Sequence, residues 1–212
     1  MKTPVEKPPS DHEAFAASAN YAQVAEGKED AALLTWKATL DNQSQSLLSS
    51  WGGHSPCNWD GIGCNKAGRI THIDLKGYGL KGKLDRDLNF SYLPYLSSID
   101  LYNNSLYGTI PSNIGILSNL NYLDLSINRL SGMIPFEIGL LTNLRVLYIV
   151  NNLISGSIPR EIGMLRSLNK LSISNNNLTE SIAQEVGMLR SVTNLSLYGN
   201  QLMGSIPTSI GN

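Results

Sequence analysis

The chain contains 212 residues, with 16 Lys and Arg against 17 Asp and Glu, and its formal net charge is −1. Such a balanced charge argues against a nucleic-acid-binding protein, which usually carries a basic excess on one face. With 42% hydrophobic and 16% charged residues, the chain is too apolar to be disordered throughout. No run of about 18 apolar residues occurs, so the sequence predicts no membrane span.

The first 27 residues show no hydrophobic periodicity. Residues 1–10 (MKTPVEKPPS) are charged and rich in proline, and residues 14–25 (AFAASANYAQVA) are only weakly apolar. They lack the leucine-rich stretch of a secretory signal peptide, so none is recognised in this sequence. We expect residues 1–27 to form a disordered leader.

A helix is predicted where the next segment begins. In the stretch EDAALLTWKATL, which spans residues 29–40, the apolar side chains at 32, 33, 36 and 40 follow helical spacing. Acidic residues at the start of this stretch suit the positive end of a helix dipole. A polar break follows, and then come LLSSW and GGHSPCNWDGIGC. Residues 28–68 are interpreted as one N-terminal cap.

The two cysteines, Cys57 and Cys64, lie in the segment CNWDGIGC. They could bind a metal ion with His54 and His72, but no CxxC pair is present and four ligands are hard to place. They could also remain free thiols in a reducing compartment. A disulfide is favoured because the repeats begin here and the open end of the solenoid needs a covalent cross-link. In the chain-entropy account such a bond would add about 2–3 kcal/mol to the free energy of unfolding.

Residues 69–212 are built from a repeat of 24 residues. Positions 96, 120, 144, 168 and 192 hold Leu or Val, and further columns of apolar residues, Asn and Gly follow at the same step. The unit reads LxxLxLxxNxLxGxIPxxIGxLxx. An earlier, less regular unit begins near Arg69 at a step of 26 residues. We count about six units, of which the last is incomplete and uncapped.

This pattern identifies leucine-rich repeats, in which one unit cannot bury its own apolar side. Stacked units place parallel strands about 4.8 Å apart and make a continuous core. We therefore predict an α/β fold: a right-handed leucine-rich-repeat solenoid with a parallel concave sheet and an N-terminal helical cap.

One Asn in each unit follows the strand. Its amide can pair with buried backbone groups of its own turn and of the next, which predicts a structural role. The predicted Asn ladder consists of Asn104, Asn128, Asn152, Asn176 and Asn200.

The second half of each unit, LxGxIPxxIG, is similar to the plant-specific class of leucine-rich repeats. In that class the LxGxIP piece forms a second small sheet beside the main one. One unit departs from this pattern, because LTESIAQEVG has Glu180 where Gly stands elsewhere and Ala183 where Pro stands. This puts the local twist of that unit in doubt.

Residues that alternate with the buried columns are predicted to face the concave surface. Leu125 is therefore expected to be buried and its neighbour Ser126 to face outward. A row of Tyr on such a surface is typical of recognition sites, because Tyr offers rigid, amphipathic contact area. The candidate ligand face contains Asp100, Tyr102, Tyr122, Asp124, Tyr148, Val150, Ser172 and Tyr198.

Aspartates on the same surface could in principle form a catalytic site. Asp74, Asp100 and Asp124 fall in one column on neighbouring strands, but a carboxylate pair with one raised pKa needs a pocket, which an open sheet does not offer. The positions of the three His suggest no Ser-His-Asp set. We expect no enzymatic activity, no metal site and no cofactor.

Five triplets match the N-x-[ST] acceptor pattern for N-glycosylation. A chain rich in Ser and Asn produces such triplets by chance, so they support secretion only weakly. The candidate acceptors are Asn42, Asn89, Asn103, Asn177 and Asn194.

The segments ALLTWKATL, LLSSW and CNWDGIGC closely resemble the N-terminal cap of plant leucine-rich-repeat receptor-like kinases and receptor-like proteins. The resemblance covers residues 28–212 and implies a cap helix over the first repeat, a Cys57–Cys64 bridge and an extracellular or cell-surface location. It also implies non-catalytic recognition by the N-terminal part of a receptor-like ectodomain. The expected partner is an extracellular peptide or a partner receptor such as a co-receptor kinase.

Two alternative functions remain open. Polygalacturonase inhibitors share the repeat class, although they carry a closed C-terminal cap and more repeats. Short co-receptor ectodomains, such as those of the somatic-embryogenesis receptor kinases, have few repeats but continue into a Pro-rich stalk and a membrane helix.

The sequence stops inside its sixth unit, where another repeat would cover the apolar columns. The residues concerned are Leu195, Leu197, Leu202 and Ile206. We expect the isolated chain to self-associate through this end and to fray there first.

Overall fold

Two helices begin the part of the chain that the computed structural model describes, which comprises residues 29–84 and 88–210. Helix α1 covers residues 29–39 and helix α2 covers Asn42–Leu47. Asp41 caps α2, because its Oδ1 accepts a hydrogen bond of 2.8 Å from the Ser44 backbone N–H. The predicted leader at 1–27 lies outside the described residues.

Three tryptophans form the core of the N-terminal cap. Trp36 from α1 packs on Trp51 with ring centroids 6.2 Å apart, and Trp51 stacks on Trp59 at 5.4 Å. All three rings are buried, yet each indole N–H donates to a backbone carbonyl: those of Lys83, Asp60 and Gly52, at 2.9–3.0 Å. The indoles therefore combine apolar burial with satisfied hydrogen bonds.

A buried ion pair ties α1 to the first parallel strand. Glu29 is 1% exposed and accepts hydrogen bonds from Arg69 Nε at 3.1 Å and Nη2 at 2.9 Å. Its second carboxylate oxygen accepts from the Ile70 backbone N–H at 3.3 Å. These contacts place the helix over the first repeat.

A disulfide bond joins Cys57 to Cys64, with a Cα–Cα distance of 5.5 Å. Cys57 lies in a 3-10 helix (Pro56–Asn58), and Cys64 ends strand β1 (Ile62–Cys64). The bond closes the loop that carries Trp59, and neither sulfur is a free thiol or available to a metal ion.

Seven strands form the concave sheet, in the order β1-β2-β4-β6-β8-β10-β12. From β2 onward all neighbours are parallel, and each residue pairs with its equivalent one repeat later: Ile73 lies opposite Ile99, and Leu123 opposite Leu147. The first pair differs from the predicted parallel arrangement, because β1 belongs to the cap and returns into β2 through a short turn, which makes that pair antiparallel. The strands are β1, then β2 (Ile70–Asp74), β4 (Ser98–Asp100), β6 (Tyr122–Asp124), β8 (Val146–Tyr148), β10 (Lys170–Ser172) and β12 (Asn194–Ser196).

The LxGxIP pieces form the predicted second sheet, with the order β11-β9-β7-β5-β3. Its strands are β3 (Lys81–Lys83), β5 (Ser105–Gly108), β7 (Arg129–Gly132), β9 (Leu153–Gly156) and β11 (Asn177–Leu178). Short 3-10 helices then close the repeats on the side away from the concave sheet. They cover Phe90–Tyr92, Ser112–Ile116, Phe136–Leu140, Arg160–Met164 and Gln184–Met188. The chain thus forms a right-handed leucine-rich-repeat solenoid with a helical cap.

The Asn ladder links each repeat to the one before it. Asn152 is 7% exposed; its Nδ2 donates to the Leu125 carbonyl at 3.0 Å, and its Oδ1 accepts from the Leu130 N–H at 3.0 Å. Asn104 makes the equivalent bonds to Leu75 and Leu80. The neighbour bridged is therefore the preceding repeat and not the next one, because the unpaired backbone groups of each turn point toward the repeat that follows.

Adjacent 3-10 helices approach so closely that one column must be Gly. A Cβ added at Gly115 would lie 2.7 Å from the Glu137 carbonyl oxygen, and one added at Gly139 would lie 2.5 Å from that of Glu161. These distances are shorter than any normal contact, so a side chain here would push two repeats apart.

The last described repeat covers its apolar columns only in part. Leu195, Leu197 and Leu202 are partly buried, and Ile206 is 73% exposed, whereas Ile158 in the same column is 2% exposed. The core is therefore continuous from the cap to the fifth repeat and thins at the sixth.

Glu180 adopts a left-handed conformation because the repeat requires one. Its φ is +65°, close to the +74° of Gly132 and the +77° of Gly156 in the same column. The strand before it, β11, has two residues, whereas β9 has four. The backbone of the column is thus retained without glycine, at a steric cost that glycine does not carry.

Replacing Glu180 with Gly should therefore stabilise the protein. We expect Glu180→Gly to raise the free energy of unfolding by about 0.5–1 kcal/mol, since the relief of the left-handed strain exceeds the entropic cost of Gly. The matched control is Gly156→Ala, which should destabilise, because the new Cβ would lie 2.9 Å from Met133 Cγ at positive φ. Urea titrations compare the midpoints, and a lower midpoint for Glu180→Gly would contradict the assignment of strain.

Candidate functional site

The middle strands of the concave sheet carry alternating aromatic and acidic side chains. In β6, buried Leu123 lies between Tyr122 and Asp124, and in β8, buried Leu147 lies between Val146 and Tyr148. The register places Asp124 directly beside Tyr148 on the next strand. Aromatic and carboxylate groups are therefore direct neighbours across strands.

The structure places the predicted ligand-face residues along this sheet, but their exposure differs. Tyr198, on the last described repeat, is 67% exposed, whereas Asp124 is 6% exposed. The remaining residues are partly buried: Asp100, Tyr102, Tyr122, Tyr148, Val150 and Ser172.

Asp124 is buried, although the repeat pattern predicts an exposed position for it. Its Oδ1 accepts a hydrogen bond of 2.8 Å from the Ser126 backbone N–H, and the Tyr122 hydroxyl also donates to it. The carboxylate is thus folded back over the end of its own strand. Asp124 is therefore engaged within the fold and offers little surface to a ligand.

Ser126 is also buried, at 4% exposure, and the prediction that it faces outward is wrong. The strand ends at Asp124, so the alternation of inward and outward side chains stops before Ser126 is reached. Its Oγ accepts a hydrogen bond of 3.0 Å from the Val150 backbone N–H of the next repeat. Ser126 therefore has a structural role that resembles that of the Asn ladder. Leu125 is buried as predicted.

The pKa of Asp100 is raised, chiefly because its carboxyl group is partly buried. Asp74, Asp100 and Asp124 lie opposite one another on β2, β4 and β6. Partial burial raises the pKa of Asp100 above its ordinary value; the hydrogen bond from the Tyr102 N–H, at 3.0 Å, opposes this shift, and the charges of Asp124 and Asp74 add to it. A cationic group of a ligand would favour the ionised form of Asp100.

The pKa of Tyr122 lies above the ordinary value of a tyrosine. Partial burial raises the pKa of Tyr122, and the nearby charges of Asp100 and Asp124 raise it further. Its hydroxyl is therefore a permanent donor. Tyr102 is engaged differently, because the Lys76 ammonium lies over its ring, 4.9 Å from the centroid.

A column of left-handed residues borders the concave strands at their carboxyl ends. Asn103, Asn151 and Asn175 have φ of +53° to +55°, and Ile127 has φ of +53°. Asn tolerates this conformation, but a β-branched residue rarely adopts it. Sequence reasoning missed this column, although its composition of Asn, Ile and Gly was a usable signal.

A shallow groove of about 400 Å³ lies where the cap hairpin meets the concave sheet. The groove extends from the β1 backbone to Asp74, Asp100 and Tyr122. Its lining consists of Gly61, Ile62, Gly63, His72, Asp74, Ser98, Asp100 and Tyr122.

All five candidate glycosylation residues are exposed. Asn194 lies in β12 on the concave sheet, so a glycan there would cover the last part of that face. Ser44, which completes the Asn42 triplet, is buried, and its Oγ accepts a hydrogen bond of 2.7 Å from the Lys81 N–H. The use of these acceptors stays a prediction.

Residues 29–84 and 88–210 contain neither a metal-binding cluster nor a membrane-spanning helix. Within these ranges no group of three or more His, Cys, Asp or Glu side chains is arranged to hold a metal ion. No helix there combines the length and the apolar character that crossing a membrane requires.

The raised pKa of Asp100 predicts a pH-dependent stability difference. A carboxyl whose pKa is higher in the folded state destabilises the fold above its ordinary pKa of 3.8, and this effect disappears below it. Asp100→Asn keeps the oxygen that accepts from Tyr102 and should raise the melting temperature at pH 7. We expect the gain to vanish as the pH falls below 3.8.

Thermal melts between acidic and neutral pH measure this difference. Asp60→Asn, at an exposed position outside the row, controls for the loss of one negative charge. A gain at pH 7 that persists unchanged at low pH would contradict the role of the Asp100 charge.

Two family descriptions match nearly the whole described chain. Residues 80–209 match the family described as "Leucine-rich repeat region", and residues 27–65 match "Leucine rich repeat N-terminal domain". Among characterised proteins, LRR receptor-like serine/threonine-protein kinase RGI3 of Arabidopsis thaliana is 43% identical over 86 residues. The match covers 40% of this chain and 8% of the kinase, so the chain spans a small part of that relative.

Several solved structures with the same architecture are plant receptor ectodomains. The ectodomain of the membrane receptor kinase GASSHO1/SCHENGEN3 from Arabidopsis thaliana, in complex with CASPARIAN STRIP INTEGRITY FACTOR 2, superposes with a TM-score of 0.81 at 32% identity. The superposition covers 86% of this chain and 22% of that one. A chain of the BIR3–SERK2 complex from Arabidopsis thaliana gives a TM-score of 0.71 at 33% identity, over 85% of this chain and 98% of that one. The protein therefore belongs to the leucine-rich repeat family, in the form found in the ectodomains of plant receptor-like kinases and receptor-like proteins.

Proposed function

We propose that this chain is a non-catalytic recognition module, the N-terminal part of a plant receptor-like ectodomain that binds an extracellular peptide on its concave face. The observation that carries the proposal is the cluster of Asp100, Tyr122 and Tyr148 on the neighbouring strands β4, β6 and β8. A peptide laid across these strands would meet one carboxylate and two Tyr side chains.

The chemistry of the face favours a ligand with at least one basic group. Asp100 lines the groove and has a raised pKa, so its ionised form is destabilised. A cation bound next to Asp100 would stabilise the ionised form. Tyr122 lies two residues before the buried Asp124 on the same strand, and Tyr148 lies opposite Asp124 on the next strand. Aromatic rings can also attract cations.

An oxidising, extracellular environment fits the construction of the cap. The Cys57–Cys64 disulfide closes the loop around Trp59, and such bonds persist in secreted proteins and not in the cytosol. The related ectodomain of GASSHO1/SCHENGEN3 is likewise part of a plant membrane receptor kinase. We place this chain at the cell surface or in the apoplast on these grounds.

A second candidate function is that of a short co-receptor ectodomain, which binds a partner receptor. It is favoured by one observation: a chain of the BIR3–SERK2 complex shares this architecture, with a TM-score of 0.71 at 33% identity. The two functions differ in the size of the partner, so one binding experiment separates them.

A binding experiment tests the proposal. The chain is produced in secreted form, immobilised and exposed to plant apoplastic fluid, and the bound molecules are identified. The peptide fraction should yield a ligand whose affinity falls at least about tenfold in Tyr148→Ala, because a central Tyr in an interface typically carries 1–2 kcal/mol or more. Tyr107→Ala is the matched control, since Tyr107 is 42% exposed on β5, away from the concave face. That variant should bind as the unchanged chain does.

Three results would argue against the peptide proposal. Equal losses in Tyr148→Ala and Tyr107→Ala would show that the concave face is not the site. Capture of a receptor ectodomain without any peptide would favour the co-receptor function. Capture of a pectin-degrading enzyme would favour an inhibitor.

A further inference from the structure

Each repeat returns from its 3-10 helix to the next concave strand through a short segment. We call these the return segments: 117–121, 141–145, 165–169 and 189–193. They stack in register, because the Arg145 N–H donates to the Asn121 carbonyl at 2.8 Å and the Asn169 N–H donates to the Arg145 carbonyl at 2.8 Å. The second sheet lies on the outward path of each repeat, so the return segments form the opposite lateral side of the solenoid.

The return segments carry positive charge and no negative charge. They read LSNLN, LTNLR, LRSLN and LRSVT, without Asp or Glu. Their three basic residues, Arg145, Arg166 and Arg190, are exposed. Among the described residues none of the three forms an ion pair, although Arg166 borders Glu185 in a shallow groove beside the 3-10 helices. Since the whole chain has a net charge of −1, this side is a local excess of positive charge that attracts anions.

A polar groove of about 690 Å³ crosses three of the return segments. It contains one guanidinium, one hydroxyl and four amide groups, and no apolar side chain lines it. Its lining consists of Asn119, Asn121, Asn143, Arg145, Ser167 and Asn169. Groups of this kind bind a ligand through directed hydrogen bonds and charge, and they offer little to an apolar partner.

The backbone orients the amides in the groove. Asn143 Nδ2 donates to the Ser118 carbonyl at 2.8 Å, and Asn119 Nδ2 donates to the Pro94 carbonyl at 2.9 Å. In the described part of the chain no protein donor pairs with the Oδ1 atom of either Asn, so both atoms can accept from a ligand. The exposed Asn121 makes no side-chain hydrogen bond to any described residue, and its whole amide is available.

The groove therefore needs two kinds of group from a ligand. The amide oxygens need donors such as hydroxyls, and the guanidinium of Arg145 needs an anion, for which a carboxylate is the best geometric match. An acidic peptide supplies carboxylates, but only one backbone donor per residue. A sugar acid carries a carboxylate and several hydroxyl groups on one rigid ring, so it satisfies both needs together.

We propose that the return segments bind an acidic oligosaccharide, a chain of uronate sugars. Arg145 pairs with one carboxylate, and the amide oxygens of the groove accept from ring hydroxyls. The sugar chain runs along the solenoid and reaches Arg166 and then Arg190, which lie on the next two repeats, within roughly 10 Å. This site is on a different side from the concave face, so it can be occupied together with a peptide and does not depend on one.

NMR titration of the isotope-labelled full chain with an oligomer of galacturonate tests the proposal. About six sugar rings suffice to span the return segments. We expect a dissociation constant of about 0.1–1 mM, because the site is open and its ion pairs are exposed. Backbone signals of residues 141–145 and 165–169 should shift, and the affinity should fall as salt is added.

Two further ligands separate the charge from the sugar chemistry. The methyl-esterified oligomer keeps ring hydroxyls but lacks the carboxylates, and polyglutamate keeps carboxylates but lacks the rings. Each should bind at least about fivefold more weakly than the galacturonate oligomer. Equal binding of polyglutamate would overturn the assignment to a sugar, and equal binding of the methyl ester would overturn the role of the Arg residues.

Substitutions test the site. Arg145→Gln with Arg166→Gln should weaken binding at least about tenfold. The matched control is Lys81→Gln with Arg129→Gln, which removes the same charge from exposed positions on β3 and β7 of the second sheet. That variant should bind as the unchanged chain does. Asn121→Ala should weaken binding about two- to fivefold and leave the melting temperature unchanged, because its amide has no partner among the described residues.

Three outcomes would contradict the proposal. One is the absence of binding with up to about 10 mM oligomer. Another is an equal loss in the two double variants, which would show an effect of total charge and exclude the return segments as the site. The third is a set of shifts confined to the concave strands, which would place the sugar on that face.

Discussion

Every repeat of this protein depends on its neighbours to cover its apolar side. The inward columns, such as Leu123 and Leu147, are buried only because adjacent strands stack in register. The Asn ladder enforces the same register with polar groups. The Asn152 amide forms hydrogen bonds with backbone groups of the preceding turn that would otherwise be unpaired. Apolar burial supplies most of the stabilisation, and the amides make any other register costly, because buried backbone groups would then be left unpaired.

This constraint also creates the functional surfaces. Because strands align residue by residue, a side chain type that recurs at one position of the repeat becomes a row. Tyr and Asp positions on neighbouring strands form the concave face in this way. The protein thus presents ordered rows of side chains on one rigid frame.

The 24-residue period predicted the buried columns and a structural role for the column Asn, and the resemblance to plant-specific repeats implied the second sheet. The predictions were wrong where the local backbone no longer follows the repeat pattern. Ser126 and Asp124 were assigned to the exposed face because strand alternation was extended to the end of the strand and beyond it, where the chain already turns and their side chains fold back onto backbone N–H groups. The antiparallel β1 could not be inferred, since it belongs to the cap, which has no repeat.

The central claim is that the 24-residue period, and not any individual contact, determines the fold. Deletion of one full period tests it most directly. A chain lacking residues 121–144 keeps every column aligned and should unfold cooperatively, with the circular dichroism per residue of the unchanged chain. A chain lacking residues 121–143 is one residue out of phase and should lose that cooperative transition, because the Asn ladder and the apolar columns no longer align. Equal cooperative unfolding of the two deletion variants would contradict the account.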